Sequence, residues 1–311
     1  MTIIRANNAN LMKAGLDEVL FSPWEFAQPD SVISQVFNME THDSQFKKYM
    51  TIKGYPLLTQ KNEGGAYTNV DAGEAWWTQL EHIAYGMYST ITHEAQADER
   101  YGVISQFPNS MRESAEATMN YHASRIFTNG FSAVPTYQSS NRSTAEYLFD
   151  TTHDLKGGGT QANRPTVDAD LTATSIWAAV NAFYEVTNES GLPWVKSPKT
   201  LLIPHQLQQK AIELFQSEKY PEDANNAINA LRKATEINVV VWPYWLGSVD
   251  STAWYLLAAN SDHQVKFVWR EKARTKMTTE DLTDNLLYFI YMRYSCGWVD
   301  YKGTYGTSGA A

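Results

Sequence analysis

The chain has 311 residues, 43% hydrophobic and only 19% charged, which excludes an intrinsically disordered protein and allows one large or two modest domains with a sizeable core. Its net charge of −9 excludes a basic nucleic-acid-binding footprint. A lone cysteine, Cys296, excludes an intrachain disulfide and a thiolate metal site, and fits a reducing compartment.

Residues 1–45 read as an arm. Leu16, Leu20, Phe21 and Trp24 are among its sparse apolar residues, too few for a core of their own, and Pro23 and Pro29 prevent one continuous helix. Such a segment gains order only by burial on another surface, which makes these four candidate assembly residues. Residues 46–92 read as two long extended arms about a turn at Lys61, Asn62, Glu63, Gly64 and Gly65, with residues 83–92 as the returning arm. A two-stranded hairpin is marginal alone, so this one is expected to project and lie on a neighbour, its tip taking part in assembly.

The clearest helix spans residues 110–129, opened by a Ser110–Glu113 capping box and stopped by Asn129-Gly130. Met111, Ala115, Met119, Ala123 and Ile126 share one face; Met111, Met119 and Ile126 are its expected core contacts, against a sheet built partly from residues 285–302. Residues 135–166 are polar and Gly-rich, a surface loop or boundary; no Gly-Lys-Ser/Thr follows Gly157-Gly158-Gly159, so they form no phosphate loop.

A second helix is marked by Leu171, Ile176, Trp177, Val180 and Phe183. A third runs from Pro204 in its first turn to Ser217, with Leu207, Ala211, Ile212, Leu214 and Phe215 on its apolar face, and a short fourth spans 224–234. Strands dominate thereafter, over 238–242, 253–258, 265–270 and 285–302, with 293–303 closing the chain as a hairpin-like pair. Helices and strands are segregated, which predicts an α+β protein.

No catalytic constellation competes with this structural reading. The seven histidines show no i, i+3 or i, i+4 pair, and Cys296 has no base nearby in sequence. No Gly-x-Ser-x-Gly elbow is present, and helix-start capping accounts for Asp168 and Asp170. Trp76-Trp77 and Trp242-Pro243-Tyr244-Trp245 suit a core or interface better than a sugar platform. No catalytic, cofactor-binding or metal-binding residue is therefore assigned, no cofactor is expected, and the chain is read as a non-enzyme. Residues 1–10 hold no long apolar run, so no signal peptide is expected, and no stretch reaches the roughly 20 apolar residues of a membrane span.

Several segments in fixed order carry a resemblance. They are the strand Tyr85-Gly86-Met87-Tyr88-Ser89-Thr90-Ile91-Thr92, the helix start Asp170-Leu171-Thr172-Ala173-Thr174-Ser175-Ile176-Trp177, Leu201-Leu202-Ile203-Pro204 before a Gln/Leu-rich helix, and Gly297-Trp298-Val299-Asp300-Tyr301-Lys302-Gly303. The chain resembles major capsid proteins of tailed bacteriophages, in particular the Mu-like prophage major head subunit family with the Hong Kong 97 type of fold. The resemblance implies an N-terminal arm (1–45), an extended loop (46–92), a peripheral domain (93–134 and 262–311) with a spine helix (110–129), and an axial domain (135–261).

It further implies self-assembly into hexamers and pentamers of an icosahedral shell around double-stranded DNA, held without sequence-specific contacts. Portal, scaffold, protease and decoration proteins would be partners. Assembly would occur in the host cytoplasm and the product would be the virion, with no membrane involved. The sequence shows no N-terminal scaffolding segment, so scaffold and protease would be separate chains or already removed, and no motif indicates a lysine–asparagine crosslink. Two alternatives are an encapsulin-like nanocompartment shell and a carbohydrate-binding protein or hydrolase with an aromatic cleft.

Overall fold

A computed structural model describes Asp17, Leu20 and residues 31–70, 73–98, 106–142, 146–217, 229–234, 236–243 and 246–309. In chain order, the elements are α1 (Val32–Val36), β1 (Asn38–Thr41), β2 (Phe46–Ile52), β3 (Glu74–Glu81), β4 (Ile83–Ile91), α2 (His93–Ala97), α3 (Gln106–Thr128) and β5 (Gln138–Ser140). The short strands β6 (His153–Asp154) and β7 (Thr160–Gln161) precede α4 (Ala173–Glu185), β8 (Thr200–Pro204) and α5 (Gln208–Gln216). Then come α6 (Ala230–Ala234), β9 (Asn238–Trp242), α7 (Leu246–Val249), β10 (Trp254–Leu257), β11 (Val265–Thr279), β12 (Leu286–Trp298) and β13 (Thr304–Thr307).

The first sheet has the order β1-β11-β12-β4, with β1 parallel to β11 and the other pairs antiparallel. Along β12, Tyr288, Ile290, Met292 and Tyr294 are buried, while the residues between them are half-buried, so one face of the sheet is apolar. Helix α3 lies on that face and buries Met111, Ala115, Met119, Ala123 and Ile126, one stripe at helical spacing. The helix begins four residues before the expected capping box, so Ser110 is an interior residue. Pro108 sits in the first turn, where its missing N–H costs nothing. The stop at Gly130 is a packing requirement: a Cβ there would meet Ile126 O at 2.8 Å and the Phe149 ring at 2.9 Å.

The second sheet, β13-β10-β8-β9, is covered on both faces, which explains its near-continuous apolar strands. Leu201, Ile203, Trp254 and Leu256 pack with α4 and α5. Leu202, Val240, Trp242, Tyr255 and Leu257 face the main core. There Phe37, Phe127, Phe149, Tyr255 and Trp242 form a web of ring contacts at 5.3–6.5 Å between centroids.

Several sequence expectations change. Residues 83–91 are not the returning arm of the loop: β4 pairs with β12, and the strand that returns alongside β2 is β3. Period-two patterning marks a strand but not its partner. The chain does not end in a hairpin. β12 stops at Trp298, the chain turns at Gly303 (φ +81°), and β13 joins the other sheet beside β10. A domain boundary at residue 262 would cut that sheet, and β1, expected in the arm, belongs to the first one.

Residues 135–166 are not merely a loop: Leu148, Phe149, Arg142, Glu146, His153 and Asn163 are buried there, while the glycine turn is exposed. Pro204 ends β8, and a 3₁₀ turn (His205–Leu207) precedes α5, whose Ile212 is 45% exposed. Asp168 caps no helix; it pairs with Arg164 and accepts from Ser308 Oγ at 2.8 Å, while Thr172 and Ser175 form the capping box of α4. Of the expected fourth helix only Ala230–Ala234 lies within the described residues as helix; residues 224–228 fall outside them.

Candidate assembly surface

Between β2 and β3 the described residues 53–70 and 73 form neither helix nor strand. Tyr55, Leu57, Leu58 and Tyr67 stand in solvent, Leu58 at 98% exposure. Lys61, Asn62, Glu63, Gly64 and Gly65 form the exposed turn at the end of this limb: Gly65 N donates to Asn62 O (3.0 Å) and Gly64 has φ +74°. Thr59 and Thr68 hydroxyls meet at 2.8 Å, and Lys61 Nζ lies 4.2 Å from the Tyr67 ring centre, so the two sides of the limb run together. Exposed aromatic and leucine side chains of this number are what a protein interface buries.

The limb has a rigid root. Lys53 N donates to Gly73 O (3.0 Å), and Ser190 Oγ donates to Lys53 O (2.7 Å), tying the root to the turn before Gly191. On β1, Glu40 accepts hydrogen bonds from Lys47 and Tyr49 of β2 and from Lys266 of β11. Burial alone would raise its pKa, but those donors outweigh it and hold the carboxyl at about 2.

A second tie joins the β3–β4 junction to the first sheet. His42 Nδ1 and His82 Nε2 lie 3.2 Å apart, and His82 Nδ1 lies 2.9 Å from Ser295 Oγ. Burial, then the neighbouring His42, Arg293, Arg270 and Lys47, push the His82 pKa down to about 4.

Behind the root lies a buried ionic network. Arg142 donates to Glu146 (3.0 Å) and to Asp300 (3.1 Å), and Lys302 to Glu189 (2.7 Å) and Asp300 (3.2 Å). Glu146 and Glu189 also accept from the backbone N–H groups of Asp154 (2.8 Å) and Lys156 (2.9 Å). The His153 and Tyr301 rings stack at 3.7 Å, and Lys156 Nζ sits 3.8 Å over the Trp76 ring, so Trp76 is no open platform. Although Asp300 is buried, Lys302 and Arg142 keep its pKa below the usual carboxylate value. The network pins the turn that carries the chain from β12 to β13.

Of the arm residues, Leu20 is fully buried in the main core of its own subunit. Near it, Asp17 accepts hydrogen bonds from Thr275 Oγ1 (2.6 Å) and Tyr288 Oη (2.8 Å). Leu16, Phe21 and Trp24 lie outside the described residues. Met111, Met119 and Ile126 sit between α3 and β12, away from the limb. Neither the histidine pair nor the ionic network was legible in the sequence: their members are 40 and up to 158 residues apart, with no spacing signal.

Among the described residues no three His, Cys, Asp or Glu side chains converge as a metal site, and no helix is long and apolar enough to cross a membrane. What the molecule offers is a rigidly rooted, apolar, outward limb on a two-sheet body. It is an architecture for joining subunits.

The comparisons with known proteins give that architecture a family. The phage capsid protein family matches residues 79–306, most of the chain, and the chain belongs to it. The capsid structure of the cyanophage P-SCSP1u has a similar fold, with a TM-score of 0.57 and 12% identity over 90% of this chain and 88% of that one. The capsid of a native GTA particle matches at 0.57 and 9% identity over 90% of each chain. Mycobacterium phage Bobi matches at 0.52 and 12% over 90% and 93%. No curated protein sequence matches. The fold is the Hong Kong 97 type, and the chain is a structural major capsid protein of the tailed-phage kind rather than an enzyme.

Proposed function

We propose that the chain is the repeating subunit of hexamers and pentamers in an icosahedral head that encloses double-stranded DNA. The observation that carries this reading is the limb of residues 53–70, whose Tyr55, Leu57, Leu58 and Tyr67 have no cover on their own subunit. In a shell they lie on the next subunit, and the turn at Lys61, Asn62, Glu63, Gly64 and Gly65 is the part that reaches farthest. Residues 93–134 and most of 262–311 act as the peripheral domain around α3, and residues 135–261 with β13 as the axial domain. Residues 1–45 serve as the arm, its proposed contacts with neighbours made by Leu16, Phe21 and Trp24, and Leu20 anchors it at home. Portal, scaffold and decoration proteins are the further partners, DNA is held without sequence-specific contacts, and assembly takes place in the host cytoplasm.

The test replaces residues 55–70 by a short Gly-Ser turn. The expected product is a subunit with an unchanged unfolding temperature that forms no closed shells by negative-stain microscopy, under conditions where the complete chain does. Shells at full yield, or a subunit that no longer folds, would contradict the assignment.

A further inference from the structure

The hairpin of β11 and β12 carries two complementary surfaces that cannot meet within one subunit. On β11, Ala273 and Met277 pack toward the core, so Lys272, Arg274 and Lys276 project from the opposite face and are exposed. In register beside them on β12 and β4 are Tyr291, Phe289 and Tyr88: Arg274 pairs with Tyr291, Lys276 with Phe289, and Phe289 with Tyr88. The Arg274 guanidinium lies 4.8 Å from the Tyr291 ring centre, and the Tyr88 and Phe289 rings are 5.3 Å apart. Arg274 also pairs with Glu271 (3.2 Å), whereas Lys272 and Lys276 make no ion pair among the described residues. The result is a basic, aromatic sheet face on a chain of net charge −9.

At the end of the same hairpin the tip has the opposite character. Glu280, Asp281 and Asp284 are exposed and make no ion pair among the described residues, and Leu282 is 95% exposed. The tip is a fixed turn: Glu280 N donates to Asn285 O and Asp284 N to Glu280 O, both at 2.9 Å, and Asp284 has φ +53°. Lys276 is on β11 and Asp281 lies in the turn past the strand's last residue, Thr279; five residues of extended chain span roughly 15 Å, too far for an ion pair and beyond the Debye length of about 8 Å. The hairpin cannot fold back on itself to bring them together.

We infer that the acidic tip of one subunit, Glu280, Asp281 and Leu282, docks on the Lys272–Lys276 and Tyr88–Phe289 face of a second copy of this chain. The inference rests on the shell reading above and names a contact within it. Tip and face are different patches, so the contact is head-to-tail, and within the closed shell of the reading above it closes as a ring, each subunit giving one tip and receiving another. Each contact is small, and repetition around the ring supplies its strength. Arg and Tyr are residues that interface centres favour, and the exposed Tyr88 ring with the half-buried Phe289 ring gives Leu282 an apolar seat. Phosphate binding on this face would leave Leu282 and the tip acids without a role.

A charge swap tests it. K272E/K276E and E280K/D281K are made separately and together, and shell yield is measured beside thermal unfolding of the isolated subunits. Each pair alone is expected to lower yield roughly tenfold or more by placing like charges together, and the combined variant to recover to within about threefold of the original chain, with unfolding temperatures unchanged. The inference is overturned if the single pairs assemble normally or the combination rescues nothing. It is also overturned if a reversal destabilises the isolated subunit, or if K272E/K276E keeps its yield but retains less DNA, which would assign the face to nucleic acid. An original chain that forms no shells would refute the parent reading instead.

Discussion

Met119 has no exposed surface and lies between α3 and the buried face of β12. An aspartate there would be a buried charge without a partner. Met119→Asp should cost about 4 kcal/mol or more, while Met119→Leu should stay within roughly 1.5 kcal/mol; denaturant titration of the subunit distinguishes them. Lys302 is the converse case, a buried charge with two partners. Lys302→Met leaves buried Glu189 with no cation and Asp300 with Arg142 alone, and should destabilise by about 3–5 kcal/mol in the same titration. Cys296 is fully buried with its Sγ 3.3 Å from Tyr137 Oη, and burial pushes its thiol up to about 12. It should resist iodoacetamide in the folded subunit and react completely in denaturant, as mass spectrometry would show.

The arm and the limb show how elements divide between one subunit and its neighbours. Leu20 belongs to the subunit's own core, so Leu20→Ala should lower subunit stability by about 2–4 kcal/mol. Truncating the whole arm therefore harms folding as well as assembly. The limb is held differently, by Glu40 bridging β1, β2 and β11. Its carboxyl has a folded pKa of about 2 against an ordinary 4.5, so the bridge contributes fully above pH 4.5 and is lost as pH falls through 2. Glu40→Gln should remove that acid-dependent part and make amide exchange in β2 faster at neutral pH. The apolar spacing of Met111, Met119 and Ile126 marked α3 in the sequence. Its true start did not show, because Ser110–Glu113 imitates a cap four residues inside the helix.

Across the whole molecule, buried imidazoles set a second acid response. His82 and His263 are both held near 4 instead of 6.5, chiefly by burial, and His122, 2.9 Å from Tyr294 Oη, is lowered for the same reason. The unfolded chain takes up protons on these rings below pH 6.5 and the folded chain does not. Stability should therefore fall as pH drops from about 6.5 to 4, ahead of the Glu40 transition. Thermal unfolding between pH 8 and 4 checks this, and His82→Asn with His263→Asn should flatten the upper part of the curve. The class of the molecule, its long helix, its strands over 238–242 and 254–257 and its exposed turn at Lys61 to Gly65 were legible from local spacing, because side-chain periodicity and turn chemistry are properties of neighbouring residues; β11 runs to Thr279, nine residues past the expected 265–270, and β1, β5 and β13 were not legible as strands. Which strand β4 and β13 would pair with was decided only in three dimensions, as were the partnering of Arg142 with Asp300 and the meeting of His42 and His82. A period of two is the same for every partner, and burial of charges more than a hundred residues apart leaves no mark on local sequence.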